Sequence, residues 1–327
     1  MVVITRNRTM RNNLYWPVYK TLEKEVLELA NQIHFDDKQA EVYSVKLAEL
    51  LIRCATEIES LSKTLYRELG GNMTPIDNET GLERNLYFDK DCIKFLEDKW
   101  HISKKIVEVI APNFYFTSDK YCSLTPLHNA HKIGRCSWKK AYQAVKHDRT
   151  NNLEHATVAN VVSALAALYL LNIYYRDEQI RPQNNGPTVA VDTSLGSDVF
   201  RVLVTSKIPD MILAEKEDDG YDKFTYLAVM SDDLCESINQ AIENDNKIAN
   251  QILESSVQTY LDLGNKLSGN AKDRYELAME VGGTELLKRL ARQQTRLQLY
   301  FNSRRICVLN KNQPVYGKPL PEPEPKS

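Results

Sequence analysis

Apolar positions recur at helical spacing along most of the chain. Leu22, Val26, Leu29 and Ile33 fall at steps of three and four, which predicts a helix over Thr21 to Ile33. A longer stripe, Leu47, Leu50, Leu51, Cys54, Ile58, Leu61 and Leu65, predicts a helix from Val42 to Leu69. Gly70-Gly71 follows it, and glycine readily takes the left-handed conformation that closes a helix. Lys90 to Trp100 and Ser103 to Ile110 read as short helices, and Ser137 as the cap of a helix over Trp138 to Lys146. Asn151, with Glu154 three residues on, has the pattern of a capping box. It predicts a helix dense in Ala and Leu from Asn152 to Tyr175.

The pattern changes after residue 180. Arg181 to Gly186 is a Pro/Asn/Gly break and an expected boundary between a domain of residues 1–180 and one of 181–327. Asp198 to Val204 and Phe224 to Met230 are rich in β-formers and flank an acidic loop, Glu215 to Gly220. They predict two antiparallel strands, and Arg305 to Leu309 a further strand. Asp232 to Leu263 and Lys272 to Tyr300 are long and amphipathic, which predicts a helical hairpin. Pro319 to Ser327 is a Pro/Glu tail. The expected fold class is therefore mainly α, with a small antiparallel β element and a C-terminal helical hairpin.

Composition narrows the possible functions. The chain has 327 residues, 43% hydrophobic and 26% charged, with a formal net charge of −2. That charge excludes a strongly basic nucleic-acid binder and leaves only local basic patches. One such patch is the C-terminal helix with Lys288, Arg289, Arg292, Arg296, Arg304 and Arg305, read first as a solvated face. None of the six cysteines forms a C-x-x-C pair. Met1 to Thr5 leads into Arg6, Arg8 and Arg11 without an apolar signal segment, so free thiols in the cytoplasm are expected. Val158 to Ile173 is apolar but interrupted by Asn160, Ser163 and Asn172, and reads as a core helix rather than a membrane span. His128 and His131 suit a metal pair only on a helix, and Pro126 and Asn129 point to a loop.

The densest polar cluster beside an apolar helix is Lys146-His147-Asp148-Arg149, followed by Asn151, Asn152, Glu154 and His155. A chain break at Thr150 would let Arg149 fold back beside the next helix and place His155 in its first turns. Free N–H groups at a helix N-terminus suit a phosphate, as does the planar, permanently charged Arg149. His155 exchanges a proton near neutral pH. Together they supply what RNA cleavage without a metal requires: a proton acceptor or donor for the 2′-hydroxyl, and a cation on the phosphate. The bland alternative pairs Lys146 and Arg149 with Glu57 or Glu59 in a structural seam.

The segment from Trp138-Lys-Lys-Ala-Tyr142 through Lys146-His-Asp-Arg149 to Asn160, Ala164–Leu168 and Tyr174 resembles the HEPN superfamily (higher eukaryote and prokaryote nucleotide-binding domain). Glu57-Ile-Glu59-Ser-Leu-Ser-Lys63 resembles the helix that packs against that motif, and the likeness covers roughly residues 15–176. It implies a helical bundle and, with Arg149 and His155 separated by five residues, a metal-independent endoribonuclease without a cofactor. Lys146, His147 and Asn151 would support the site. The resemblance also implies a homodimer acting on RNA, with a toxin–antitoxin or anti-phage defence system as its setting, where an antitoxin or other protein partner is expected. Thr150 departs from the polar Asn, Asp or His usual after the Arg. The alternative is a non-catalytic HEPN-like interaction module with a structural Lys-His-Asp-Arg seam.

Overall fold

The computed structural model describes residues 4–5, 13–77, 79–180, 183–184, 189–206, 220–229, 232–269, 273–302 and 306–312. The chain forms two compact units. The larger holds residues 4–179, 192–228 and those from 307 onward, and the smaller holds 1–3, 180–191 and 229–306. The chain leaves the larger unit at residue 180 and rejoins it at 192. Most of the Glu215–Gly220 loop, the Pro319–Ser327 tail, and Arg304 and Arg305 lie outside the described residues.

The structure is mainly helical. Helix α1 spans Tyr15–Ala30, α2 Val45–Glu68, α3 Lys94–Trp100, α4 Ser137–His147, α5 Val158–Arg176, α6 Asp232–Asp262 and α7 Arg274–Asn302. The whole predicted stripe of α2 is buried. Ser44 caps its first turn by accepting from Leu47 N at 3.1 Å. Gly70 ends it at φ +82°, a conformation that glycine adopts without a Cβ penalty. The core of the larger unit forms where α2 lies along α5, with α1 and α4 packed beside them. Helix α5 is apolar on all sides, long enough to cross a membrane, and mostly buried inside the fold. That is the pattern of a central core helix.

Two expectations are corrected. Ser103 to Ile110 is not a helix: a 3₁₀ turn at Ile102–Lys104 leads into a strand at Val107–Val109. This strand pairs antiparallel with Ser123–Leu124 and with Phe200–Val202, and alternating β-branched side chains suit such a half-buried position. The second strand pair is not antiparallel either. Val204–Ser206 runs parallel to Tyr226–Val229, a pairing that needs a crossover connection rather than a two-residue hairpin. Both belong to a sheet ordered Ile4–Thr5, Gln179–Ile180, Ile306–Leu309, Tyr226–Val229, Val204–Ser206.

Two buried charges tie distant segments to this core. Glu23, 1% exposed, accepts from Tyr19 Oη at 2.6 Å, from the Ser197 hydroxyl, and from the backbone of Asp198 and Val199. Lys105 has no exposed surface. It donates to the Phe224 carbonyl at 3.2 Å, and burial pulls its pKa down to about 8.

Candidate functional site

The chain breaks at Asp148, not at Thr150. Helix α4 ends there, with the Asp148 N–H donating to Ala144 O. Its carboxylate then caps a single helical turn, Arg149–Asn152, accepting from Asn151 N at 3.2 Å and from Asn151 Nδ2 at 2.7 Å. These bonds, led by the one from the Asn151 side chain, hold the Asp148 carboxyl below the usual aspartate range. A 3₁₀ turn follows at Leu153–His155. Helix α5 starts only at Val158, with Thr157 as its cap accepting from Asn160 N at 3.3 Å.

His155 therefore precedes the long helix, and the free-amide phosphate site is not formed. Val158 N and Ala159 N donate to Val42 O at 3.0 Å and Ala40 O at 2.9 Å. Asn160 N is taken by Thr157, so the amides that would have met a phosphate are satisfied within the chain. In the short turn the Asp148 carboxylate already occupies the position an anion would take.

Arg149 and His155 are both exposed, as are His147, Lys146 and Asn151. Neither Arg149 nor the His155 ring forms a hydrogen bond or ion pair among the described residues. The His155 backbone is fixed: its carbonyl accepts from Asn160 Nδ2 at 2.9 Å and Thr157 N at 3.0 Å.

The two predicted carboxylates separate, as residues two apart on a helix must. Burial raises the Glu57 carboxyl, which feels the Arg53 charge one turn earlier. Glu59 faces α4. There Lys146 Nζ lies 5.1 Å from the centre of the Tyr142 ring. The Tyr142 hydroxyl and then the nearby Glu59 charge hold Lys146 above the ordinary lysine range. The seam is therefore Glu59–Tyr142–Lys146, and Arg149 takes no part in it.

Glu59 also borders a cavity of about 680 Å³ between α2, α4 and the segment 86–90, with Lys63, Lys90, Lys140 and Gln143 around it and Phe88 and Ile133 as apolar wall. Lys139, 4% exposed, sits at its base. Its ammonium donates to Asp89 at 2.9 Å, Ala130 O at 2.6 Å and Lys132 O at 3.0 Å. Those three bonds use all its protons and leave no donor for a ligand. Lys63 and Lys140 form no ion pair among the described residues. The segment 84–91 is pinned by a two-point Arg84–Asp91 pair at 2.8 and 2.7 Å. Sequence reasoning noted Lys63 but missed Lys139, Lys140 and Asp89. Neighbouring helix residues point about 100° apart, so the doubled lysine at 139–140 carried no signal that Lys139 is buried while Lys140 stays exposed.

Elsewhere, His128 Nε2 lies 2.7 Å from Asn129 Nδ2, the His131 Nδ1 is buried without a partner, and no group of three His, Cys, Asp or Glu among the described residues is arranged to hold a metal. Lys288, Arg289 and Arg292 are exposed. No family model matches this chain, and neither does any curated protein or solved structure.

Proposed function

We propose that this protein is a metal-independent, cytoplasmic endoribonuclease on a HEPN-like helical bundle carrying a C-terminal helical hairpin. The observation that carries this reading is the pair Arg149 and His155: both are exposed, neither side chain has a partner among the described residues, and each stands on a hydrogen-bonded turn. A cation and an imidazole left free on a rigid loop are available to an external phosphodiester. His155 takes the proton from a ribose 2′-hydroxyl. The freed oxygen attacks the adjacent phosphorus, and the 5′-oxygen leaves with a proton from water or from His147. The products are a 2′,3′-cyclic phosphate and a 5′-hydroxyl end. Arg149 balances the charge that builds on the phosphate, and Lys146 assists.

The lysine-rimmed cavity gives RNA a path to this turn. Lys140, Gln143 and His147 share one face of α4, and the rise from Lys140 to His147 is about 10 Å. Toxin–antitoxin or anti-phage defence would be the setting, with a homodimer as the working form.

A second reading is a non-catalytic interaction module. It is favoured by the satisfied amides of α5 and by the carboxylate of Asp148 in the anion position.

The test is cleavage of RNA by purified full-length protein in EDTA, with Arg149→Ala and His155→Ala of confirmed helicity. Loss of at least ~100-fold in rate in each variant supports catalysis. Binding of RNA without cleavage, or cleavage unchanged in both variants, overturns it.

A further inference from the structure

The cavity between α2, α4 and the segment 86–90 is lined by polar groups whose hydrogen-bonding capacity is unused. Asp89 and Lys139 are paired with each other at 2.9 Å. Glu59 and Gln143, both half-buried, are not so engaged. The Glu59 carboxylate lies beside the Tyr142 hydroxyl, one donor for two oxygens that can each accept more than one bond, and it forms no ion pair among the described residues. The Gln143 amide forms no side-chain hydrogen bond among them. Lys63, Lys90 and Lys140 add three ammonium groups that form no ion pair there. Much of the remaining lining is apolar or aromatic, with Phe88 buried and Tyr87 49% exposed. Tyr87 is a fixed platform. Its N–H donates to Asp91 Oδ2 at 2.8 Å, and its carbonyl accepts from Asp91 N at 3.0 Å.

A ligand that uses all of these groups carries a planar ring for the aromatic wall, donors for Glu59, an acceptor for Gln143 and a negative group for the lysines. A cavity of about 680 Å³ is of the size that takes such a molecule. Among the four RNA bases, guanine alone presents two neighbouring donors, N1–H and N2–H, on its pairing edge, with the O6 acceptor beside them. Two donors match the two oxygens of one carboxylate. Adenine and cytosine would set a ring-nitrogen acceptor against it, and the single N–H of uracil lies between two carbonyls.

We propose that the cavity is a subsite for one unstacked guanine of single-stranded RNA. Glu59 accepts from N1–H and N2–H, Gln143 donates to O6, Tyr87 stacks on the ring, and the lysines hold the adjoining phosphates. Gln143 and His147 lie one turn apart on α4, about 6 Å in rise, which sets the guanine beside the phosphate that the nuclease reading gives to Arg149 and His155. The proposal rests on that reading for RNA as the ligand, while base recognition itself uses neither of those residues. Fluorescence polarisation of the full-length protein with short, uncleavable 2′-O-methyl uridine strands tests it, the central base being guanine, inosine, adenine, cytosine or uracil. Guanine is expected to bind about tenfold or more tighter than adenine, cytosine or uracil, with inosine, which lacks the N2 amine, in between. Glu59→Gln exchanges an acceptor for a donor and removes the preference. Tyr87→Ala weakens every strand, and Tyr87→Phe does not. Each variant is checked for unchanged helicity. Equal affinity for all bases, a guanine preference that survives Glu59→Gln, or no binding overturns the proposal, and guanosine monophosphate competing as strongly as the guanine strand overturns RNA as the ligand. A guanine preference without cleavage of unmodified RNA leaves the subsite standing and removes the nuclease. Cleavage that depends on Arg149 and His155, without a base preference, does the reverse.

Discussion

Replacing Lys105 by methionine stabilises the protein near neutral pH. Lys105 is fully buried, and burial lowers its pKa from 10.5 to about 8, with Asp222 and Glu97 offsetting only part of the effect. That fall corresponds to roughly 3 kcal/mol against the folded state, at about 1.4 kcal/mol per factor of ten. The sign follows from linkage. Below pH 8 the lysine is protonated in both states and the folded protein carries the full penalty. Between pH 8 and 10.5 the folded state sheds the proton first, so the penalty fades as pH rises. Methionine fills a similar volume without a charge. The Phe224 carbonyl keeps a donor, Asn310 Nδ2 at 3.0 Å, so no acceptor is orphaned. The variant is therefore more stable by about 2–3 kcal/mol at pH 7, less the value of one hydrogen bond, and the gap closes toward pH 10.5. Urea unfolding followed by tryptophan fluorescence reads the larger unit, which holds Trp16, Trp100 and Trp138. Buried thiols raised to about 11 or 12, such as Cys54, Cys92 and Cys136, lower stability above pH 9 in both proteins, so the difference between them isolates Lys105. A variant less stable at pH 7, or a gap constant from pH 7 to 10, refutes the reasoning.

Other outcomes follow from single contacts. Gly71→Ala places a Cβ 2.4 Å from the Tyr66 ring, which is held by its hydroxyl on Asn72 O at 3.0 Å. It costs about 1–3 kcal/mol, read as a lowered melting temperature; a loss below about 0.5 kcal/mol would mean that the ring yields. Thr157→Ala removes the α5 cap and costs about 1 kcal/mol by urea unfolding. Asp148→Ala frees the Arg149 turn, and reduced RNA cleavage with unchanged circular dichroism is expected. Lys63→Glu with Lys140→Glu weakens RNA binding in a filter assay while leaving the melting temperature within about 1 °C, since neither lysine supports the core.

Local signals made the long helices legible. The stripe of α2 and its Gly70 terminus are properties of the segment itself, and each appears in the fold as read. The start of α5 was misplaced for a physical reason. Asn151 and Glu154 mimic a capping box, whereas the true first amides of the helix are held by Val42 and Ala40, more than a hundred residues away. Val107–Val109 was misread for the same kind of reason, since its partners come from residues 123–124 and 200–202. At the candidate site, the sequence brought out Arg149, His155 and Lys146. It did not reveal that Asp148 caps the turn, or that Lys139 points inward to Asp89 and closes the base of a cavity. Those arrangements depend on which face of α4 meets α2, and helical periodicity alone does not fix that choice.

The most direct measurement is mass spectrometry of RNA ends after incubation with wild-type protein in EDTA. The account predicts 2′,3′-cyclic phosphate and 5′-hydroxyl ends that vanish in both Arg149→Ala and His155→Ala. Intact RNA with folded, RNA-bound wild type, or the same ends from either variant at wild-type rate, contradicts it.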